Sequence, residues 1–283
     1  MTILVTGATG HLGGLAVRHL LDRVPAGALA VSVRDTTKAA DLAERGIDVR
    51  QGDFTKPESL RFDGVDTLLL VSADGPDDVR VVAQKAAVDA AARAGVKRIA
   101  YTSVSDASVS PLGLAKVHAA TEEHIKASGV PYTFLRNAMY HENYLGTLPQ
   151  SLERGTHVTA TGTGRIASVG RDDLALAAAI VVTTDGHENA TYELTGARAW
   201  SFDELAAIAA EVTGKPLKHV SVPGSELQAG LLGAGLPEFL AELFTDIQVN
   251  IARGTLAEVR PDLARLIGRE PVSIEQAVRD ALV

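Results

Sequence analysis

A short apolar run, Thr2-Ile3-Leu4-Val5-Thr6, leads without a linker into Gly7-Ala8-Thr9-Gly10-His11-Leu12-Gly13. Its apolar and β-branched residues give the pattern of a strand buried on both faces of a parallel sheet. From Gly14 to Leu21 the chain takes up helical spacing. A strand, a turn with glycines three apart and a helix form the frame in which such glycines hold the pyrophosphate of a dinucleotide. Gly7 permits the tight turn, Gly10 lets the backbone approach the phosphates, and Gly13 lets the helix sit close to the strand. The free N–H groups and the positive dipole end of that helix then face the anion. Thr9, His11 and Leu12 complete the expected phosphate loop.

Strand-like runs recur at 29–33, 47–51, 67–71, 99–102 and 132–135, with helical patterns between them. The longest of these patterns runs from Asp77 to Ala94, is rich in alanine, and stops at Gly95, a C-terminal capping residue. This alternation predicts an α/β fold: a Rossmann-type doubly wound parallel sheet with helices on both faces. The second half is less regular. A short hairpin is expected around Gly162-Thr163-Gly164, a helix from Arg171, a strand at Thr191–Leu194, and a capping box at Ser201-Phe202-Asp203-Glu204 opening a helix that ends near Gly214. The division expected is an NADP-binding domain over 1–140, to which later segments return, and a smaller mixed α/β substrate lobe over 141–283. Gly230-Leu231-Leu232-Gly233-Ala234-Gly235 imitates a phosphate loop without the strand–helix frame, and reads as a flexible lid or a helix junction.

Ligands of such sheets lie beyond the carboxyl ends of the strands, so the residues following each strand are the candidates. An acidic residue after the second strand suits NAD, through the adenosine ribose. Here Val33 is followed by Arg34, with Lys38 one turn on. A guanidinium there suits the 2′-phosphate of NADP(H) by charge and by bidentate geometry; Asp35 offers the alternative of serving the ribose. Asp53 and Phe54 follow the third strand, where an adenine lies, and read either as base contacts or as a turn Asp and a core Phe. Ser72 and Ala73 follow the fourth strand, beneath the ribose and pyrophosphate. Thr102 and Ser103 follow the fifth, on the nicotinamide side.

These segments resemble the short-chain dehydrogenase/reductase superfamily in its atypical, NmrA-like branch. The glycine loop, Ile99-Ala100-Tyr101-Thr102-Ser103, Ser110–Ala115, Tyr132–Asn137 and Glu142-Asn143-Tyr144-Leu145 are similar to type 2 NAD(P)H:quinone oxidoreductases. His118–Glu122 and Trp200–Ala206 are similar to triphenylmethane dye reductases as well. Ordinary members of the superfamily carry a Tyr-x-x-x-Lys pair, with a Glu commonly four residues after the lysine. Anchoring on Glu122 puts His118 at the lysine position and Leu114 at the tyrosine position, and no Tyr-x-x-x-Lys exists anywhere in the chain. Hydride delivery to an isolated ketone makes an alkoxide, which needs a nearby proton donor. Delivery to a quinone makes an anion closer to a phenolate, and delivery to a triarylmethyl cation needs no proton. The resemblance and the missing pair together imply NADPH-dependent hydride transfer to an extended conjugated electrophile, driven mainly by holding it face-on to the nicotinamide. The alternative is an NmrA-like regulator that senses NAD(P) without turning it over.

By the same resemblance, Asn137 through Tyr144 flanks the nicotinamide and the acceptor. Asn137 is a candidate for the carboxamide or the acceptor oxygen. Tyr140 and Tyr144 offer flat surfaces, a notable pairing in a chain with 4% aromatic residues. His118 reads either as a group at the cofactor ribose that relays a proton or as a packed helix residue. Asn137, Tyr140 and His118 are the catalytic candidates; Tyr140, Asn143, Tyr144 and Arg171 are the substrate candidates.

The remaining composition narrows the field. A net charge of −8 with no basic run argues against nucleic acid as a partner. Cysteine is absent, which excludes disulfides, thiolate metal sites and cysteine nucleophiles, and fits a reducing cytoplasm. Strand-like sequence beginning at residue 2 argues against a cleaved leader, and the apolar runs are too short to cross a membrane. No His-x-x-x-His or close carboxylate set suggests a metal, and no Gly-x-Ser-x-Gly suggests a hydrolase. The expected partner is a small conjugated acceptor such as a quinone, for a cytoplasmic monomer or homodimer.

Overall fold

The computed structural model describes residues 1–283. Strand and helix alternate from the start through β1 (Ile3–Thr6), α1 (His11–Leu21), β2 (Leu29–Val33), α2 (Ala40–Glu44), β3 (Asp48–Gln51) and β4 (Thr67–Leu70). Next come α3 (Asp77–Arg93), β5 (Arg98–Val104), α4 (Gly113–Ala127), β6 (Tyr132–Asn137), α5 (Glu142–Leu145) and α6 (Leu148–Arg154). The chain goes on through β7 (Thr156–Thr159), β8 (Arg165–Ile166), α7 (Arg171–Thr183), β9 (Ala190–Leu194), β10 (Trp200–Ser201) and α8 (Phe202–Thr213). It ends in β11 (Lys218–Ser221), α9 (Gly224–Gly233), α10 (Glu238–Ala252), α11 (Asp262–Ile267) and α12 (Ile274–Leu282).

Seven strands form one sheet in the order β3-β2-β1-β4-β5-β6-β9, and every neighbouring pair is parallel. Parallel neighbours require crossovers, and the crossover helices cover both faces. Along β1, alternate side chains therefore serve different layers. Ile3 and Val5 meet α1 and α7, while Leu4 packs with Leu68 and Leu70 under α3. The strand order reverses at β1, between β2 and β4. The crevice at the carboxyl ends of β1 and β4 is thus the switch point where sheets of this kind take their ligands.

The division near residue 140 is not a clean cut, because α7, β9 and α11 return to the sheet. β9 pairs with β6 and α7 lies along α1. The segments within 141–168, 199–256 and 270–283 that stay off the sheet form a second packing unit, whose core Val104, Leu112 and Met139 join. Its core gathers Trp200, Phe202, Tyr144 and Leu205. The Tyr144 ring stands edge-on to Trp200 at 5.7 Å and to Phe202 at 5.4 Å. Among the contacts between lobe and sheet, Asp246 on α10 accepts the Gly113 N–H at 2.9 Å and caps α4.

Local signals account for several boundaries. Ser201 accepts the Glu204 N–H at 3.3 Å to open α8, which stops at Gly214 in the left-handed region. Gly230–Gly235 forms a helix junction, with α9 ending at Gly233 and α10 starting at Glu238. The hairpin expected around Gly162-Thr163-Gly164 does not form. The turn is there, closed by the Gly164 N–H on Thr161 O, but β7 pairs with β11 and β8 with β10. A Cβ on Gly164 would stand 2.1 Å from Ile251 O, so the turn is pressed against the end of α10 and its flanking strands diverge. No helix is long and apolar enough to cross a membrane.

Phe202 is 1% exposed at the centre of the lobe core. Phe202→Ala is expected to destabilise the protein by about 3–5 kcal/mol. The urea midpoint, read from the fluorescence of the single tryptophan, checks this.

Candidate active site

The phosphate loop is organised by one close approach. Gly7 has φ +62 and donates its N–H to Ser32 O at 3.1 Å. A Cβ on Gly13 would stand 2.3 Å from Gly7 O, so only glycine lets α1 lie this near the turn. α1 starts with no side-chain cap on Gly10 and no acidic residue in its first turn, which leaves its N–H groups facing an open, electropositive end. Thr9, Gly10 and His11 are exposed around it. Leu12 is buried in the core beneath, so its side chain lies away from any ligand and only its backbone belongs to the loop.

At the adenosine end, Arg34 and Lys38 are exposed and their side chains hold no ion pair or hydrogen bond. Asp35 is turned back on its own chain, where Oδ1 accepts the Thr37 N–H at 3.0 Å and the Thr37 hydroxyl at 2.6 Å. Those bonds hold its carboxyl below the usual range. Asp53 makes the same kind of turn with Thr55, through Oδ1. Phe54 is half-buried against the layer of Leu60 and Phe62, so part of its ring is core.

The floor beneath the middle of the crevice is a buried polar relay. The Ala73 N–H is held by Gln84 Oε1 at 2.9 Å and the Ala73 carbonyl by Arg80 Nε at 2.7 Å. Arg80 Nη2 lies 3.3 Å from His118 Nε2, and His118 Nδ1 lies 2.9 Å from the Tyr101 hydroxyl. A guanidinium only donates, so Nε2 accepts and Nδ1 carries the proton. His118 is 4% exposed and faces this relay rather than the crevice. Both of its ring nitrogens are engaged in this relay, which braces the loop after β4.

The Thr102 and Ser103 hydroxyls are likewise bonded within the protein. The Thr102 hydroxyl accepts the Ser72 N–H at 2.9 Å, and the Ser103 hydroxyl donates to Glu122 at 2.7 Å. Glu122 also takes Arg136 in a two-bond clamp at 2.9 and 2.7 Å, and Arg136 continues to Glu193 at 3.0 Å. This chain of charges ties α4, β5, β6 and β9 together behind the site. Arg80, Gln84, Arg136 and Glu193 were missed at the level of sequence. The available signal was Arg80 and Gln84 four apart on an otherwise alanine-rich helix, one face apart from its solvated charges.

Farther along the crevice, Asn137 closes β6. It is 4% exposed, and its buried Oδ1 has no hydrogen-bond partner. Beyond it, the chain is stitched to the segment entering α7: His141 N–H bonds Val169 O and Val169 N–H bonds Met139 O, both at 3.0 Å. That pairing brings Arg171 over Tyr140, with the guanidinium carbon 4.5 Å from the ring centroid. Arg171 also donates to Asn143 Oδ1 at 2.7 Å and lies 3.6 Å from Glu142. Tyr140 is half-buried. Burial raises its pKa, against the opposing pull of the neighbouring Asn137 amide and the Arg171 charge. Tyr140, Asn143 and Arg171 are thus brought together. Tyr144 is not, because its ring is locked in the lobe core at 8% exposure. No group of three or more His, Asp or Glu side chains is placed to hold a metal.

A glycine cradle that a Cβ would fill, an uncapped helix start and an orphaned buried amide at the far end together fit an extended dinucleotide lying across the switch point. The fold and site are those of a Rossmann-type dinucleotide-binding protein. The NmrA-like family profile matches residues 1–267, and the chain belongs to that family. It is 40% identical to quinone oxidoreductase 2 of Escherichia coli over 278 residues, covering 98% of this chain and 97% of the relative. It is 31% identical to the NAD(P)H azoreductase of Xenophilus azovorans, covering 94% and 93%. The structure of the Citrobacter sp. triphenylmethane reductase complexed with NADP(H) superposes with a TM-score of 0.95 at 44% identity, covering 99% of this chain and all of that one (100%).

Burial, with the Arg80 charge added, pushes the His118 pKa down to about 3. Between there and the ordinary histidine value of about 6.5, the unfolded chain binds a proton that the folded chain refuses. The stability tied to this neutral ring is complete above that window and is lost as pH falls through it. His118→Gln is expected to lower the proton uptake on unfolding near pH 5 by up to about one proton. The pH dependence of the urea unfolding free energy measures it.

Proposed function

We propose that this protein is an NADPH-dependent reductase that delivers hydride to a quinone or a similarly conjugated electrophile, triphenylmethane-type dyes included. One observation carries the reading. The dinucleotide cradle is present in full, while the positions of the ketone-reducing pair hold Leu114 and a buried, neutral His118. Relatives of nearly the same length, named for quinones, azo compounds and triphenylmethane dyes, support the acceptor class.

In this reading the N–H groups of the glycine loop and of α1 hold the pyrophosphate, and Arg34, with Lys38 beside it, holds the 2′-phosphate. Asp35 closes its own turn through Oδ1. Asp53 keeps Oδ2 for the adenine amino group, and Ser72 and Ala73 line the ribose. Asn137 directs its free Oδ1 at the nicotinamide carboxamide, which orients the ring. The bound cofactor supplies the hydride and both electrons. Tyr140 and Asn143, with Arg171 laid over the tyrosine, form the wall against which the acceptor lies flat, so that proximity supplies most of the acceleration.

Steady oxidation of NADPH is expected with a benzoquinone or a triphenylmethane dye, followed as loss of the reduced-nicotinamide absorbance. Cofactor binding without turnover across a broad acceptor panel would favour a sensing role instead. Arg34→Ala is expected to weaken NADPH about ten- to a hundredfold through loss of a charge-assisted bond, with NADH changed by less than about twofold. Equal losses for the two cofactors would refute the 2′-phosphate assignment.

A further inference from the structure

The geometry points to Tyr140 as the proton donor for quinone reduction, with Arg171 taking the part that lysine plays beside the tyrosine of ordinary short-chain dehydrogenases. This rests on the quinone reading above and adds to it a proton-transfer step.

The chain has five tyrosines, and the structure separates one from the rest. Tyr101 spends its hydroxyl on His118 at 2.9 Å, and Tyr192 spends its own on His187 at 2.8 Å. Tyr144 is sealed in the lobe core, and Tyr132 stacks on Phe134 at the amino-terminal end of β6. Tyr140 alone stands just past the carboxyl end of the sheet, with its hydroxyl beside the Asn137 amide. The charged and polar groups around that phenol are Asn137, Arg171, Asp74 and Glu142, contributed by the ends of β6 and α7, the loop after β4 and the start of α5.

Arg171 is fixed rather than loose. Its side chain is 19% exposed, its backbone N–H bonds Glu142 Oε1 at 2.9 Å, and its guanidinium bonds Asn143. A cation held over the ring favours the phenolate that remains once the proton has left. Burial acts in the other direction and keeps the phenol protonated at neutral pH, ready to donate. A lysine near a tyrosine does the same electrostatic work with a point charge; here a planar guanidinium stacks on the ring.

The step balances as follows. Hydride from the reduced nicotinamide carries two electrons to the quinone and leaves one acceptor oxygen as an anion. The Tyr140 O–H bond breaks, the proton forms a new O–H bond on that oxygen, and solvent returns a proton to the phenolate. One quinone, one reduced dinucleotide and one proton become one hydroquinone and one oxidised dinucleotide. A hydroquinone oxygen and a tyrosine have similar ordinary pKa values, so the transfer is close to thermoneutral and the gain sits at the low end for general acids. A triarylmethyl cation takes hydride on carbon and needs no proton, so the two acceptor classes respond differently to loss of the phenol.

The test uses Tyr140→Phe, which keeps the ring under Arg171, and Arg171→Met. With Tyr140→Phe, quinone kcat is expected to fall by about tenfold or more at saturating NADPH, and to recover as a small buffer acid is raised at constant pH. NADPH affinity, read from its fluorescence, is expected to stay within about twofold. If the dye is also reduced, its rate falls about tenfold less than the quinone rate. A second readout needs no cofactor: with tyrosine labelled by carbon-13 at Cζ, the resonance that Tyr140→Phe removes is expected to titrate at higher pH in Arg171→Met. Quinone turnover within about twofold of the parent, or a loss that buffer acid does not relieve, overturns the donor role. An unmoved titration in Arg171→Met overturns the lysine-like role. A parent protein that binds NADPH but reduces no quinone would fail the functional reading instead, and the titration would still judge the pair.

Discussion

The contact between the start of α1 and the turn leaving β1 sets the position of everything that follows. With only 2.3 Å between a notional Gly13 Cβ and the Gly7 carbonyl, the helix is drawn in until its first N–H groups open directly onto the crevice. Any side chain at Gly13 would push the helix outward and take the anion site with it. The contact also determines the rest of that face of the sheet, because α7 lies along α1 and carries Arg171 at its first turn. The glycine loop and the Tyr140–Arg171 pair are thus linked through one helix pair.

Two buried polar networks hold the middle. One runs from Ala73 through Arg80 and His118 to Tyr101, and the other from Ser103 through Glu122 and Arg136 to Glu193. Each buries groups whose desolvation is costly unless every bond is made, and in both the bonds largely are. Their effect is to fix the loop after β4 and the ends of β5, β6 and β9 at one height along the crevice. Asn137, left with an unsatisfied acceptor in this otherwise well-satisfied region, is the exception that marks the ligand side.

The acceptor end is shaped by pairing between distant segments. Residues 139–141 and 169 bond along their backbones, and with the bonds from Arg171 to Glu142 and Asn143 this sets Arg171 over Tyr140. The missing Tyr-x-x-x-Lys therefore does not leave the crevice without a phenol or a cation. Both are supplied from positions outside the helix that carries them in ordinary relatives. This phenol and cation are brought together across the chain instead of along one helix face.

The phosphate loop, the alternation of buried strands with helices, the capping of α8 and the free cation at Arg34 were legible in the residues, because each follows from local rules: two-residue and 3.6-residue periods, glycine at a positive φ, charge after a strand. The division of Tyr140 from Tyr144 was not, since neighbours four apart on a chain look alike until one ring is turned into a core with Trp200 and Phe202. The same holds for His118, whose role depends on Arg80, a residue 38 positions away. The sequence by itself determined the fold class, the cofactor cradle and the lack of a helical acid pair. Only the tertiary structure decided which polar side chains face the crevice and which are consumed behind it. Orientation of a side chain is settled by partners far along the chain, and burial of a polar group is stable only where those partners are in place.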